Sequence, residues 1–151
     1  MLYTVVRILF SLFSLCYIAA IFILAGSPVV ETLSEFNPYS LLHIPLYGLL
    51  TFLLVFSMVP IPRGFRGAST QTSSDPTRPR SKRPAGLEFR LFLAGGIAWV
   101  VGIFDEIHQL SVPIREGSVS DVVLDMVGIA IALLLCFLLF KTRFLNKPIT
   151  Q

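Results

Sequence analysis

Four apolar stretches in a chain of 151 residues, at about 8–25, 41–59, 89–104 and 122–140, constrain this protein more than any other feature. Each approaches the ~20 helical residues needed to cross a hydrocarbon core about 30 Å thick. With 54% hydrophobic residues, 14% charged residues and a mean hydropathy of +0.78, the chain has too little polar surface for a soluble domain of this size. The expectation is an all-α, polytopic membrane protein. It is a bundle of four transmembrane helices that forms a single domain over 1–151.

The first stretch has some features of a signal peptide: Arg7 precedes it and Ala25-Gly26-Ser27 follow. Its apolar core is longer than the usual signal core of about 7–15 residues, so a retained helix is the better reading. Cys16 and Cys136 both fall inside apolar spans. That is neither a disulfide framework nor a zinc-ligand spacing, and both read as small core residues.

Basic residues set the orientation. Arg63, Arg66, Arg78, Arg80, Lys82 and Arg83 lie between spans two and three, Arg90 lies at the edge, and Lys141, Arg143 and Lys147 follow span four. The loop at 26–40 has no Lys or Arg, and the loop at 111–120 has only Arg115. By the positive-inside rule both termini are cytoplasmic and the two short loops face outward. The net charge of +3 therefore reflects topology and not a nucleic-acid surface. The long inner loop, about 60–87, is rich in Pro, Ser, Thr, Gly and Arg without apolar periodicity. Its composition predicts a disordered cytoplasmic segment with weak attraction to anionic membrane lipid.

Against this apolar background, the polar residues of the spans stand out. Gly95, Ala98, Gly102, Asp105 and Gln109 recur at three- and four-residue steps in span three, with Glu106 and His108 beside them. Asp121, Asp125, Gly128 and Ala132 repeat the pattern in span four, and span two carries His43 and Tyr47 one turn apart. Small residues at this spacing let helices approach closely, so both faces are expected to point into the bundle and carry their acids inward. An Asp at the centre of a spanning helix costs roughly 2.5–3.5 kcal/mol on insertion scales, so such a cluster calls for partners or a purpose. Because spans two and four run inward and span three runs outward, the start of two, the end of three and the start of four share one depth. One polar layer near the outer boundary is the prediction.

Each residue also has a duller explanation. Ser118-Val119-Ser120-Asp121 has the form of a helix start, where Asp121 would favour the positive end of the helix dipole. That explains Asp125, a turn deeper, poorly. Asn37-Pro38 reads as a helix cap followed by Pro at the first helical position, and Pro45 as a kink near His43. A lone interfacial His is more often structural, and Tyr39 and Tyr47 fit an interfacial aromatic belt. Arg115 reads as a snorkelling cation or as the counter-ion of four acids. The case for a site rests on convergence.

At these residues the sequence resembles the VanZ-like family, named for a protein associated with resistance to the glycopeptide teicoplanin. Asp105-Glu106-Ile107-His108-Gln109 is similar to the family's Asp-Glu-x-x-Gln element. Pro113-Ile114-Arg115 with Gly117-Ser118 resembles its Pro-Gly-Arg and Gly-Ser elements, and Asp121 and Gly128 match its last helix. His43-Ile44-Pro45-Leu46-Tyr47 resembles its His-x-x-x-Tyr element, and Ile21-Phe22-Ile23-Leu24 with Ser27 resembles its first helix. The chain departs from the pattern at three places: Tyr39-Ser40 replaces Asp-Lys before the histidine, Ile114 replaces Gly, and Asp125 stands where Asn is common. These make the expected site more acidic. The resemblance implies an integral protein of the bacterial plasma membrane with a role in the cell envelope and in glycopeptide resistance.

Three functions fit the layer. In the first, an outward-facing pocket of His43, Tyr47, Asp105, Glu106, His108, Gln109, Arg115, Asp121 and Asp125 binds a lipid headgroup, a cell-wall precursor or a glycopeptide. Arg115 would meet a phosphate or carboxylate, and the acids and histidines would meet amide or sugar groups. In the second, the same oxygen and imidazole ligands hold a divalent metal that activates water, giving a hydrolase or transferase of a lipid-linked substrate. The third is proton- or ion-linked transport, against which four short spans without a broken-helix repeat weigh.

Overall fold

The structure is a computed structural model that describes residues 2–27, 39–59, 86–112 and 118–145. The described residues form four α-helices: α1 (Leu2–Ala25), α2 (His43–Met58), α3 (Leu87–Gln109) and α4 (Val119–Leu145). A short 3₁₀ helix, Tyr39–Leu42, leads into α2, and no strand occurs among the described residues. The expected disordered loop falls on residues outside the described ones, up to Gly86, which opens α3 with φ 118°.

Helices α1, α3 and α4 are each long and apolar enough to cross a membrane. Helix α2 has 16 residues, or about 24 Å of rise, and the 3₁₀ turn before it adds roughly 8 Å. The two together supply the rise that a span needs. The bundle surrounds an apolar core, which includes Leu50, Val55 and Ala98, and also buries polar side chains, while large apolar side chains cover its outside. Phe92, Ile23 and Phe89 are 77%, 72% and 66% exposed, whereas Tyr47, Thr51 and Asp125 are fully buried.

Side-chain contacts give an up-down-up-down course. Arg7 Nε, near the start of α1, donates to Ser57 O at 2.9 Å, and Arg90 Nη1, near the start of α3, donates to Met58 O. Both cations thus satisfy carbonyls that the end of α2 leaves without helical partners, and they meet the negative end of its dipole. Phe56 stacks on Phe10 at 5.5 Å and faces Phe140 at 6.0 Å, which brings the start of α1 and the end of α4 to the same side. At the opposite side, Tyr17 Oη donates to Leu46 O at 3.3 Å and Phe22 meets the edge of His108 at 5.6 Å.

Two local expectations change. The α-helix of span two begins at His43, so Pro45 lies in its first turn. The N–H groups of a first turn have no intrahelical acceptor, so Pro45 costs no such bond and there is no reason for it to kink the helix. Asn37 and Pro38 lie outside the described residues. The second change concerns the cysteines: Cys136 is a fully buried core residue, but Cys16 is exposed on the outer surface of α1.

Candidate functional site

Small residues set how closely the helices meet. A Cβ added at Gly128 would run into the backbone of Ile44, with its Cα and carbonyl carbon each at 3.0 Å, so α2 and α4 touch backbone to backbone there. Gly48 lies on the other side of the same crossing, where an added Cβ would be 3.4 Å from Gly128 O. Close approach at Ile44 carries the neighbouring His43 onto α4. There its Nδ1 donates to Asp125 Oδ1 at 2.9 Å, and its Nε2 stands 3.8 Å from Asp121 Oδ2.

Helix α3 completes the layer through two adjacent acids with separate partners. Asp105 Oδ2 accepts from Tyr47 Oη at 3.2 Å and from Gln109 Nε2 at 3.0 Å. Glu106 Oε2 accepts the backbone N–H of Ser118 at 2.7 Å. His43, Asp105, Glu106, Gln109 and Asp125 are all buried, while the side chain of Asp121 keeps 15% of its surface exposed. Gly102 makes room for the deepest acid: an added Cβ would sit 2.8 Å from Asp125 Oδ2 and 3.4 Å from Tyr47 Cε1.

One polar layer therefore joins α2, α3 and α4, as the shared depth of the three helix ends predicts. Of the candidate residues, His43, Tyr47, Asp105, Glu106, Gln109, Asp121 and Asp125 come together. His108 is placed differently, against Phe22 of α1, and its Nδ1 has no hydrogen-bond partner among the described residues. Arg115 lies outside the described residues.

The helix starts after Ser118 with Asp121 in its first turn, as expected, and Ser118 Oγ accepts the backbone N–H of Ser120 at 3.2 Å; the Ser118 N–H goes to Glu106 and not to Asp121. This second role of Ser118, holding Glu106 through its own amide, has no signature in residue type and was not foreseen. The two arginine contacts to the end of α2 were missed as well. Their basic character at one boundary was visible, but the carbonyls they meet belong to another helix.

The layer holds buried acceptors. Glu106 Oε1 and Asp125 Oδ2 have no hydrogen-bond partner among the described residues. His43, Glu106 and Asp121 each offer one metal-binding atom, all within 4.8 Å of one another. Beside the layer, on the lipid side of the α2–α4 crossing, runs an apolar groove of about 320 Å³. Ile44, Pro45, Phe52, Gly128 and Leu135 are among its lining residues, so it begins at the residue after His43 and about one turn from Asp125.

The comparisons with curated proteins and with solved structures return no match. The model of the VanZ/LLP1 family matches residues 10–141, a stretch that holds every residue of the polar layer and nearly all of the four helices. The chain belongs to the VanZ/LLP1 family.

Proposed function

We propose that this membrane protein of VanZ type acts in the bacterial plasma membrane by binding a lipid-linked envelope ligand, a headgroup or cell-wall precursor, at an outward-facing polar layer. Through that binding it contributes to resistance against glycopeptides of the teicoplanin type. The observation that carries the reading is the convergence of Asp105, Glu106, Asp121 and Asp125 with His43 on one layer built by three helices. Burying several like charges works against stability and against insertion. A layer kept at that cost serves a ligand. The adjoining apolar groove favours a ligand with a hydrocarbon chain: the headgroup would meet the acids and His43, and the chain would follow Ile44, Gly128 and Leu135. Arg115 is the residue proposed to meet an anionic group on that ligand.

The test uses isosteric amides. Asp105→Asn, Glu106→Gln and Asp125→Asn keep shape and most hydrogen bonding while removing charge. Protein level, melting temperature and teicoplanin sensitivity are measured for each variant in a strain lacking the gene. Normal abundance with loss of the envelope phenotype is the expected outcome. Stable variants that restore the strain fully would sink the proposal, and a fall in abundance before any loss of phenotype would make the layer structural.

A further inference from the structure

We propose that the polar layer contains a divalent-metal site, with His43 Nε2, Glu106 Oε1 and one oxygen of Asp121 as its protein ligands. These three residues are singled out by geometry from the larger set of acids. One possible ligand atom from each lies within 4.8 Å of the other two, and within the trio His43 Nε2 stands 3.8 Å from Asp121 Oδ2. Two ligands at about 2.1 Å from a tetrahedral ion are roughly 3.4 Å apart, so that pair needs to close by only a few tenths of an ångström.

The surrounding groups are arranged as supports for metal ligands. A metal-binding imidazole usually donates its other N–H to a carboxylate, which fixes the ring and turns the bare nitrogen toward the ion. His43 does this through Nδ1 and Asp125 Oδ1 at 2.9 Å, leaving Nε2 on the side of Asp121. Glu106 is held in the same manner: its Oε2 takes the Ser118 N–H at 2.7 Å. That leaves Oε1, a buried acceptor on a residue 7% exposed, with no hydrogen-bond partner among the described residues. An unpaired buried carboxylate oxygen is costly, and a cation satisfies it where no donor does.

Asp105 is set apart by its own partners. It is not among the residues whose ligand atoms lie within 4.8 Å of one another, and its Oδ2 is shared by Tyr47 and Gln109 in a neighbouring hydrogen-bond network. Asp121, the most exposed of the three ligands, marks the route of entry at the start of α4. One nitrogen and two carboxylate oxygens suit a first-row divalent ion such as Zn²⁺ or Mn²⁺ better than Ca²⁺ or Mg²⁺, which favour all-oxygen shells. Three protein ligands leave coordination positions open. A phosphate or carboxylate of an envelope ligand can take one of them, which extends the binding role proposed above, although the metal site is measurable without it.

The experiment uses the full-length protein in detergent, stripped of metal with a chelator and titrated with Zn²⁺ alone and Mn²⁺ alone. Calorimetry and elemental analysis read affinity and stoichiometry. One ion per chain is expected, with affinity at least tenfold weaker in Glu106→Gln and in Asp121→Asn. Asp125→Asn is expected to weaken binding about tenfold through His43, and Asp105→Asn to change it less than threefold. Asp121 lies at the rim, so its variant keeps the test open if Glu106→Gln does not fold. Absence of binding by the parent protein overturns the proposal. So does binding that survives both ligand variants, or that Asp105→Asn weakens as much as they do. Because these readouts need no glycopeptide and no lipid, failure of the metal site is distinguishable from failure of the envelope-ligand reading.

Discussion

Replacing Gly128 by Ala tests whether the α2–α4 crossing sets the geometry of the site. An added Cβ would overlap the Ile44 carbonyl oxygen and lie 3.0 Å from both the carbonyl carbon and the Cα of Ile44, where carbon contacts prefer about 3.5–4.0 Å. Backbone cannot rotate aside as a side chain can, so the helices must part by roughly 0.5–1 Å, and overpacking of this kind costs about 1–3 kcal/mol. The same displacement would carry the His43–Asp125 hydrogen bond from 2.9 Å to beyond the ordinary range of about 2.7–3.2 Å. Weakening a charged, buried hydrogen bond adds about 1.5–3 kcal/mol, and the better helix propensity of Ala returns up to about 1 kcal/mol. The net loss is about 1.5–5 kcal/mol. At roughly 2–4 °C per kcal/mol for a chain of this size, the melting temperature should fall by on the order of 10 °C.

Two glycines of α3 serve as controls for Gly128 of α4. A Cβ at Gly96 meets nothing within 4 Å, and one at Gly95 meets chiefly the end of the flexible Leu133 side chain at 2.8 Å. Thermal unfolding in detergent should therefore rank Gly96→Ala as neutral or slightly stabilising, Gly95→Ala as intermediate and Gly128→Ala as worst. If Gly128→Ala melts within about 2 °C of Gly96→Ala, backbone contact at Gly128 does not place His43 on Asp125 and the reasoning fails.

Tyr47→Phe should cost about 1–2 kcal/mol, since it removes one of two donors to the buried Asp105 Oδ2. Tyr17→Phe should cost less because its acceptor is a neutral carbonyl at 3.3 Å, and equal losses in melting temperature would contradict this. Arg90→Leu should destabilise by on the order of 1 kcal/mol by stripping a cation from the end of α2. A double-mutant cycle with Arg7→Leu, read by thermal unfolding, checks whether the two arginines act on that same helix end. A cysteine placed at Thr70 should resist impermeant reagent in intact cells while one at Glu116 reacts, and the reverse pattern would invert the topology.

Helix number and the faces that point inward were legible in the sequence because both are one-dimensional properties. Span length follows from bilayer thickness, and a face follows from a period of 3.6 residues, which aligned Gly102 with Asp105 and Asp125 with Gly128. Alternating direction also put the start of α2, the end of α3 and the start of α4 at one depth. The individual pairings required the tertiary structure. Asp121 and Asp125 lie one turn apart on the same face, so periodicity cannot tell which of them takes His43 Nδ1. The axial offset of α2 on α4, set where Gly128 meets Ile44, gives that bond to Asp125 and leaves Asp121 facing Nε2. Rotation of α3 likewise separates three polar residues of a single turn, sending Asp105 to Tyr47, Glu106 to the Ser118 amide and His108 to Phe22. Each helix carries its own pattern in its sequence, but the rotation and offset between two helices are fixed by the backbone and side-chain atoms that meet across their contact.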